Sequence, residues 1–148
     1  MPGFVDSIHL AEAEAAATFP VESCLAFAGR GVEGDRNFAP PTATLKRGYA
    51  LTLVEVEALE AVLEETGIDL RGGRSRRQVH TRGVRLNELV GEEFTVGSVR
   101  CRGVELCEPC RHLESLTEPG VLKALVHRGG LRADVLADGE IAVGDGVS

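Results

Sequence analysis

The chain has 148 residues, a formal net charge of -7 and 43% hydrophobic content, which suits one compact core that needs no disulfide staples. An acidic protein of this size is excluded from general nucleic-acid binding, which depends on basic contacts to phosphate. No run approaches the roughly 18 apolar residues that span a bilayer, and no basic start with an apolar stretch opens the chain. The expectation is therefore a soluble, cytoplasmic, single domain over residues 1–148 with no membrane partner.

In chain order, Phe4 to Leu10 reads as an opening strand, and the Ala/Glu stretch from Ala11 to Ala17 fits either helix or loop. From Val21 to Ala28 the apolar residues Val21, Cys24, Leu25 and Ala28 fall at helical spacing, so a helix ending at Gly29 is expected, with Cys24 in the core. Gly29, Gly31 and Gly34 match the spacing of a dinucleotide fingerprint, which requires a strand before it and a helix after it. The prolines at Pro40 and Pro41 forbid that helix. What remains is a glycine-rich turn ending in Asp35 and Arg36, suited either to cradling an anion with its N–H groups or simply to making a turn.

Tyr49 to Leu53 reads as a strand leading into a helix from Val54 to Thr66, closed by Gly67. Six of the sixteen basic residues (Arg71, Arg74, Arg76, Arg77, Arg82 and Arg85) lie within fifteen positions. Guanidiniums capture phosphate or carboxylate bidentately, although a solubilising surface is the equal alternative. A short strand is expected around Arg76 to His80. Glu93 to Val96 and Val99 to Leu106 make a hairpin about Gly97-Ser98, with Cys101 structural. Helices are expected over residues 113–116 and 121–127. Two closing strands, 131–136 and 141–143, should pair about an Asp138-Gly139 turn.

Four cysteines without an export signal point to free thiols, and two of them, Cys107 and Cys110, flank Glu108-Pro109. A structural zinc site needs four ligands, which this single pair does not supply on its own. A thioredoxin-type dithiol belongs in a βαβ setting that this strand-rich pattern lacks. One reactive thiol is the alternative: Pro109 fixes the backbone before Cys110, and Arg111 and His112 stand beside it to stabilise a thiolate. Cys107 is then a resolving neighbour or a packed one.

Taken together, the Gly31 to Arg36 turn, Arg76-Arg77 leading to Gly83, Leu86 to Gly91, Phe94 to Gly97, Pro109-Cys110, His127 to Gly130 and Gly144-Asp145 resemble the MOSC domain family. That family takes its name from the C-terminal domain of molybdenum-cofactor sulfurase. The family pattern usually has asparagine after the arginine pair, where this chain has Gln78.

The resemblance implies a mainly β (α+β) fold, a closed barrel of the pyruvate-kinase β-barrel class with a few peripheral helices. It implies dealings with the molybdenum cofactor (molybdopterin), an anionic pterin that carries a phosphate and a dithiolene. Gly34, Asp35, Arg36, Arg76, Arg77, His127 and Arg128 would hold that ligand, and Cys110 would ligate molybdenum or carry sulfur as a persulfide. Some relatives reduce N-hydroxylated compounds, which would demand an external redox partner. Others work beside a pyridoxal-phosphate cysteine desulfurase, so pyridoxal phosphate would enter only through that partner. A non-catalytic barrel with a structural zinc or ligand site is the remaining alternative. Substrate, partner and oligomeric state are not legible.

Overall fold

A computed structural model describes residues 3–43 and 45–148. Its strands are β1 (Gly3–Leu10), β2 (Phe19–Val21), β3 (Ser23–Phe27), β4 (Gly31–Val32), β5 (Leu51–Glu55), β6 (Val79–Arg82), β7 (Glu93–Val96), β8 (Val99–Leu106), β9 (Leu131–Val135), β10 (Gly139–Ala142) and β11 (Gly146–Val147). The helices are α1 (Val56–Thr66), α2 (Arg111–Leu116) and α3 (Val121–Ala124), with a 3-10 turn over Leu86–Leu89. No helix among the described residues is long and apolar enough to cross a membrane.

The main sheet runs β11-β7-β8-β9-β5-β6-β1 and closes on itself because β11 also pairs with β1. Seven strands thus make a closed barrel, to which β2 is added on the outer edge of β1. Closure removes the unpaired edges that would otherwise need covering. Strict alternation builds the interior: Phe94 and Val96 on β7, Val99 and Cys101 on β8, and Leu131, Ala133 and Val135 on β9 all point inward. A smaller sheet, β10-β3-β4, folds over one end.

β5 is buried on both faces. Leu51 and Leu53 face the barrel core, while Val54 faces a second cluster with Leu59 and Val62 of α1 and with Leu113, Val121 and Leu125. This outer cluster seats all three helices against the barrel wall. α1 begins at Val56, two residues later than its periodicity predicts, and ends at Gly67 in the left-handed conformation with its N–H on Leu63 O at 2.8 Å.

Three expectations are corrected. Residues 21–28 form no helix: Cys24 and Ala26 alternate inward on β3, and Cys24 reaches the core by period two. The closing strands do not pair with each other, because β9 lies between β8 and β5 while β10 pairs with β3. The Asp138 carboxylate at the supposed turn accepts from the Ala28 N–H at 2.8 Å and ties the two segments of the smaller sheet together. Finally, a βαβ unit does exist, since β5 and β6 are parallel and α1 crosses between them. The cysteine pair lies outside it, after β8.

Candidate functional site

A cavity of about 440 Å³ opens where the Ala11–Ala17 stretch, the turn after β4, the segment before β6 and the start of α2 converge. A smaller recess of about 50 Å³ adjoins it, sharing Arg36, Asn37, Arg76, Arg77 and Arg132 as walls. Residues 11–18 prove to be a loop, and Glu12 and Glu14 on it form the acidic side of the outer rim.

The glycine turn brings Arg36 to this place through Asp35. That carboxylate is buried and already occupied, since Oδ1 accepts from Ala11 N at 3.1 Å and Oδ2 from Asn37 N at 3.2 Å. Arg36 N in turn donates to Ala11 O at 2.7 Å, which locks the turn to the end of β1. Gly34 has φ 91, the conformation that favours glycine. Asp35 is therefore a brace that presents Arg36 and Asn37 to the cavity.

Arg76 is set by a backbone geometry that residues other than glycine rarely adopt. Arg76 has φ 64 and donates through Nη1 to Ala16 O at 2.7 Å, while its Nη2 is buried without a partner. Burial first, and then the neighbouring Arg36 charge, pull its pKa below the usual arginine value. Arg77 is 8% exposed and donates through Nε to Gly129 O at 2.7 Å and through Nη2 to Cys107 O at 2.9 Å. Burial lowers its pKa as well, and Arg132 and Arg36 press in the same direction. Gly129 permits this contact, because an added Cβ would stand 2.5 Å from Cys107 O.

Arg36, Arg76, Arg77 and Arg132 have no carboxylate at salt-bridge distance among the described residues. The rest of the arginine cluster behaves differently. Arg71 pairs with Asp69, Arg74 with Glu118, Arg82 with Glu60 and Arg85 with Glu88, so only Arg76 and Arg77 turn inward.

Cys110 is exposed at the start of α2 and lines the outer cavity, whereas Cys107 is 1% exposed and lines the recess. Both thiols lie within electrostatic range of the Arg77 guanidinium. His112 also faces the cavity, with Nε2 3.8 Å from Glu14 Oε1, while Arg111 is not on its wall. Cys24 and Cys101 are core residues, and burial raises their thiol pKa values to about 11 and about 12.

His127 and Arg128 lie outside the lining of both compartments. His127, at φ 62, takes both oxygens of Glu108 through its backbone N at 2.7 Å and Nδ1 at 2.8 Å, and so anchors the thiol loop. Arg128 pairs with Glu65 and caps Ala124 O. Gln78 lies in the recess wall, where Oε1 accepts from Thr52 N at 2.8 Å and its own N–H donates to Thr52 Oγ1 at 3.0 Å. This side chain bridges β5 to the segment entering β6.

Sequence reasoning missed Asn37, Tyr49 and Arg132, all on the cavity wall. The signal for Arg132 is faint: a charge at an outward position of a strand is ordinary, and only the tertiary placement of β9 puts it on the cavity wall. No group of three or more His, Cys, Asp or Glu side chains among the described residues is placed to hold a metal ion, so the zinc alternative gains nothing from the geometry.

The MOSC domain model matches residues 34–148. No curated protein matches the chain. Among solved structures, the YuaD protein from Bacillus subtilis superposes with a TM-score of 0.81 at 14% identity, covering 99% of this chain and 94% of that one. YiiM from Geobacillus stearothermophilus gives 0.76 at 16% identity over 99% of this chain and 74% of that one. YiiM from Escherichia coli gives 0.71 at 17% identity over 100% and 69%. These likenesses establish the fold.

Proposed function

The chain belongs to the MOSC domain family, and on that premise we propose that its cavity holds the phosphate-bearing pterin of a molybdenum cofactor against the thiol of Cys110. The observation that carries this reading is the group of four arginines without carboxylate partners around a cavity that also exposes one cysteine. Such charges, partly desolvated and unpaired, favour an anionic guest.

The residues present fit the group. The buried Nη2 of Arg76 has no protein partner, and a phosphate oxygen would supply one. Arg36 and Arg132 would donate to the same anion. Arg77 has two of its nitrogens committed to backbone carbonyls, so it would act as a fixed positive wall. When bound, the cofactor would supply molybdenum on a dithiolene for redox or sulfur-centred chemistry. Cys110 would contribute a soft sulfur donor to the metal, or the nucleophilic thiolate that accepts and carries a sulfur atom. The Glu108–His127 clamp would keep the loop bearing that thiol at the cavity mouth.

Protein purified from its native host should carry molybdenum and a phosphate-bearing pterin, detected by elemental analysis and mass spectrometry. Cys110→Ala should lose the metal or any extra sulfur while Cys107→Ala, if folded, retains them. Unchanged molybdenum retention and sulfur load in Cys110→Ala would remove the thiol from the reading.

A further inference from the structure

Tyr49 is the only tyrosine in the chain, and the residue is 38% exposed on the cavity wall and belongs to neither core cluster. Its hydroxyl makes no hydrogen bond among the described residues, so what it brings to the wall is a ring face. The backbone around it is firmly held. Gly48 N donates to Asp134 Oδ1 at 2.7 Å, and Tyr49 N closes the turn on Lys46 O at 3.1 Å. Gly48, at φ 82, lies so close to β9 that an added Cβ would stand 3.1 Å from Arg132 Cβ.

Arg132 and Asp134 alternate along β9 and share one of its faces. Asp134 clamps the turn, and Arg132 meets the ring: its guanidinium carbon lies 4.9 Å from the Tyr49 centroid, with Lys46 Nζ 5.6 Å away. The Arg132 guanidinium makes no hydrogen bond and no ion pair among the described residues. Arg132 lines both compartments of the site, so its N–H groups remain free for a guest there. A guanidinium set on an aromatic ring at a cavity wall is a surface suited to a flat heterocycle, because rings stack on both planes.

We infer that Tyr49 and Arg132 form a shelf for a planar nitrogen heterocycle in the cavity's anionic ligand, with Tyr49 as the residue that selects for the ring. The inference rests on the anion-holding role proposed above. Arg132 serves both parts of the guest, its N–H groups the anion and its face the ring.

Isothermal titration of the full chain with adenosine 5′-monophosphate, ribose 5-phosphate and adenosine separates ring from phosphate. The wild type should bind the nucleotide at least about tenfold more tightly than ribose 5-phosphate, the scale of one stacked base. Tyr49→Leu should abolish that preference and leave ribose 5-phosphate affinity unchanged, while Tyr49→Phe keeps it. Tyr49→Met provides a second ring-free variant if the leucine protein folds poorly. Equal binding of the two phosphates by the wild type, or a preference that survives loss of the ring, overturns the shelf and leaves the anion site standing. Failure of both phosphates to bind, or adenosine binding as tightly as its monophosphate, overturns the anion site and the shelf with it.

Discussion

Two cysteines three positions apart end up with opposite exposures: Cys110 is open to the cavity and Cys107 is sealed beneath it. Pro109 and the Glu108–His127 clamp hold the intervening backbone, so the difference is built into the loop and does not depend on side-chain rotation. In the folded protein, iodoacetamide should therefore label Cys110 alone, as read by intact mass, and unfolding should expose all four cysteines. Rapid labelling of a second site in the native state would contradict the burial of Cys107. At this scale residue type and local order were enough to single out Cys110 and the Arg76-Arg77 pair, which the structure places on one cavity wall. They did not single out Tyr49 and Arg132, because each is unremarkable in its own segment and reaches the cavity wall only where β9 meets the turn 46–49.

Among the elements, the seam between β1 and β6 carries an unusual burden. His9 and His80 lie there with ring centroids 4.5 Å apart, both buried, and each has one ring nitrogen without a partner. Burial, with His9 adding to it, lowers the His80 pKa to about 4, and burial lowers that of His9 too. The unfolded chain then binds more protons than the native one between the ordinary histidine value of about 6.5 and about 4. Stability should be fully present above that window and should fall as pH drops through it, by on the order of 3 kcal/mol for His80. Urea denaturation across pH 7.5 to 4 measures this, and a flat profile would refute it.

The same scale shows where sequence patterns mislead. Val21, Cys24, Leu25 and Ala28 satisfy helical spacing, yet Cys24 and Ala26 equally satisfy a strand. A stretch that short cannot separate the two periods, and pairing with β10 decides it. The Asp138-Gly139 turn failed for a related reason: turn chemistry reports a bend in the chain and not which strands meet across it.

For the whole molecule, charge is sorted by partner. Arginines away from the cavity pair with surface carboxylates such as Asp69, Glu60 and Glu118, while the four on the cavity wall have no such partner among the described residues, in a protein of net charge -7. Filling that cavity should therefore stabilise the entire fold. Phosphate at about a hundredfold excess over its Kd adds about 2.7 kcal/mol, which for a chain of this length raises Tm by roughly 5–10 °C. Potassium chloride at matched ionic strength should not, and Arg76→Gln combined with Arg132→Gln should erase the difference. Equal Tm values in phosphate and chloride would show that the arginines bind no anion. The barrel itself was legible only through the family resemblance, since local patterns give strands but no partners.

The pairing of Gly3 with Val147 and Phe4 with Gly146 gives the barrel a temporal character. The strands that close the ring are its first and its last, so almost the entire sequence must be in place before the last seam forms. Loops of that length must be closed before their contacts reward the loss of chain entropy, which places such barrels among slow folders, on the order of milliseconds to seconds. β1 also leads directly into the loop that supplies Glu12, Glu14 and the Ala16 carbonyl held by Arg76. The cavity is thus a late product of folding: a chain still short of β11 has the cysteine and every arginine of the site, but not yet the closed wall that sets them facing one another.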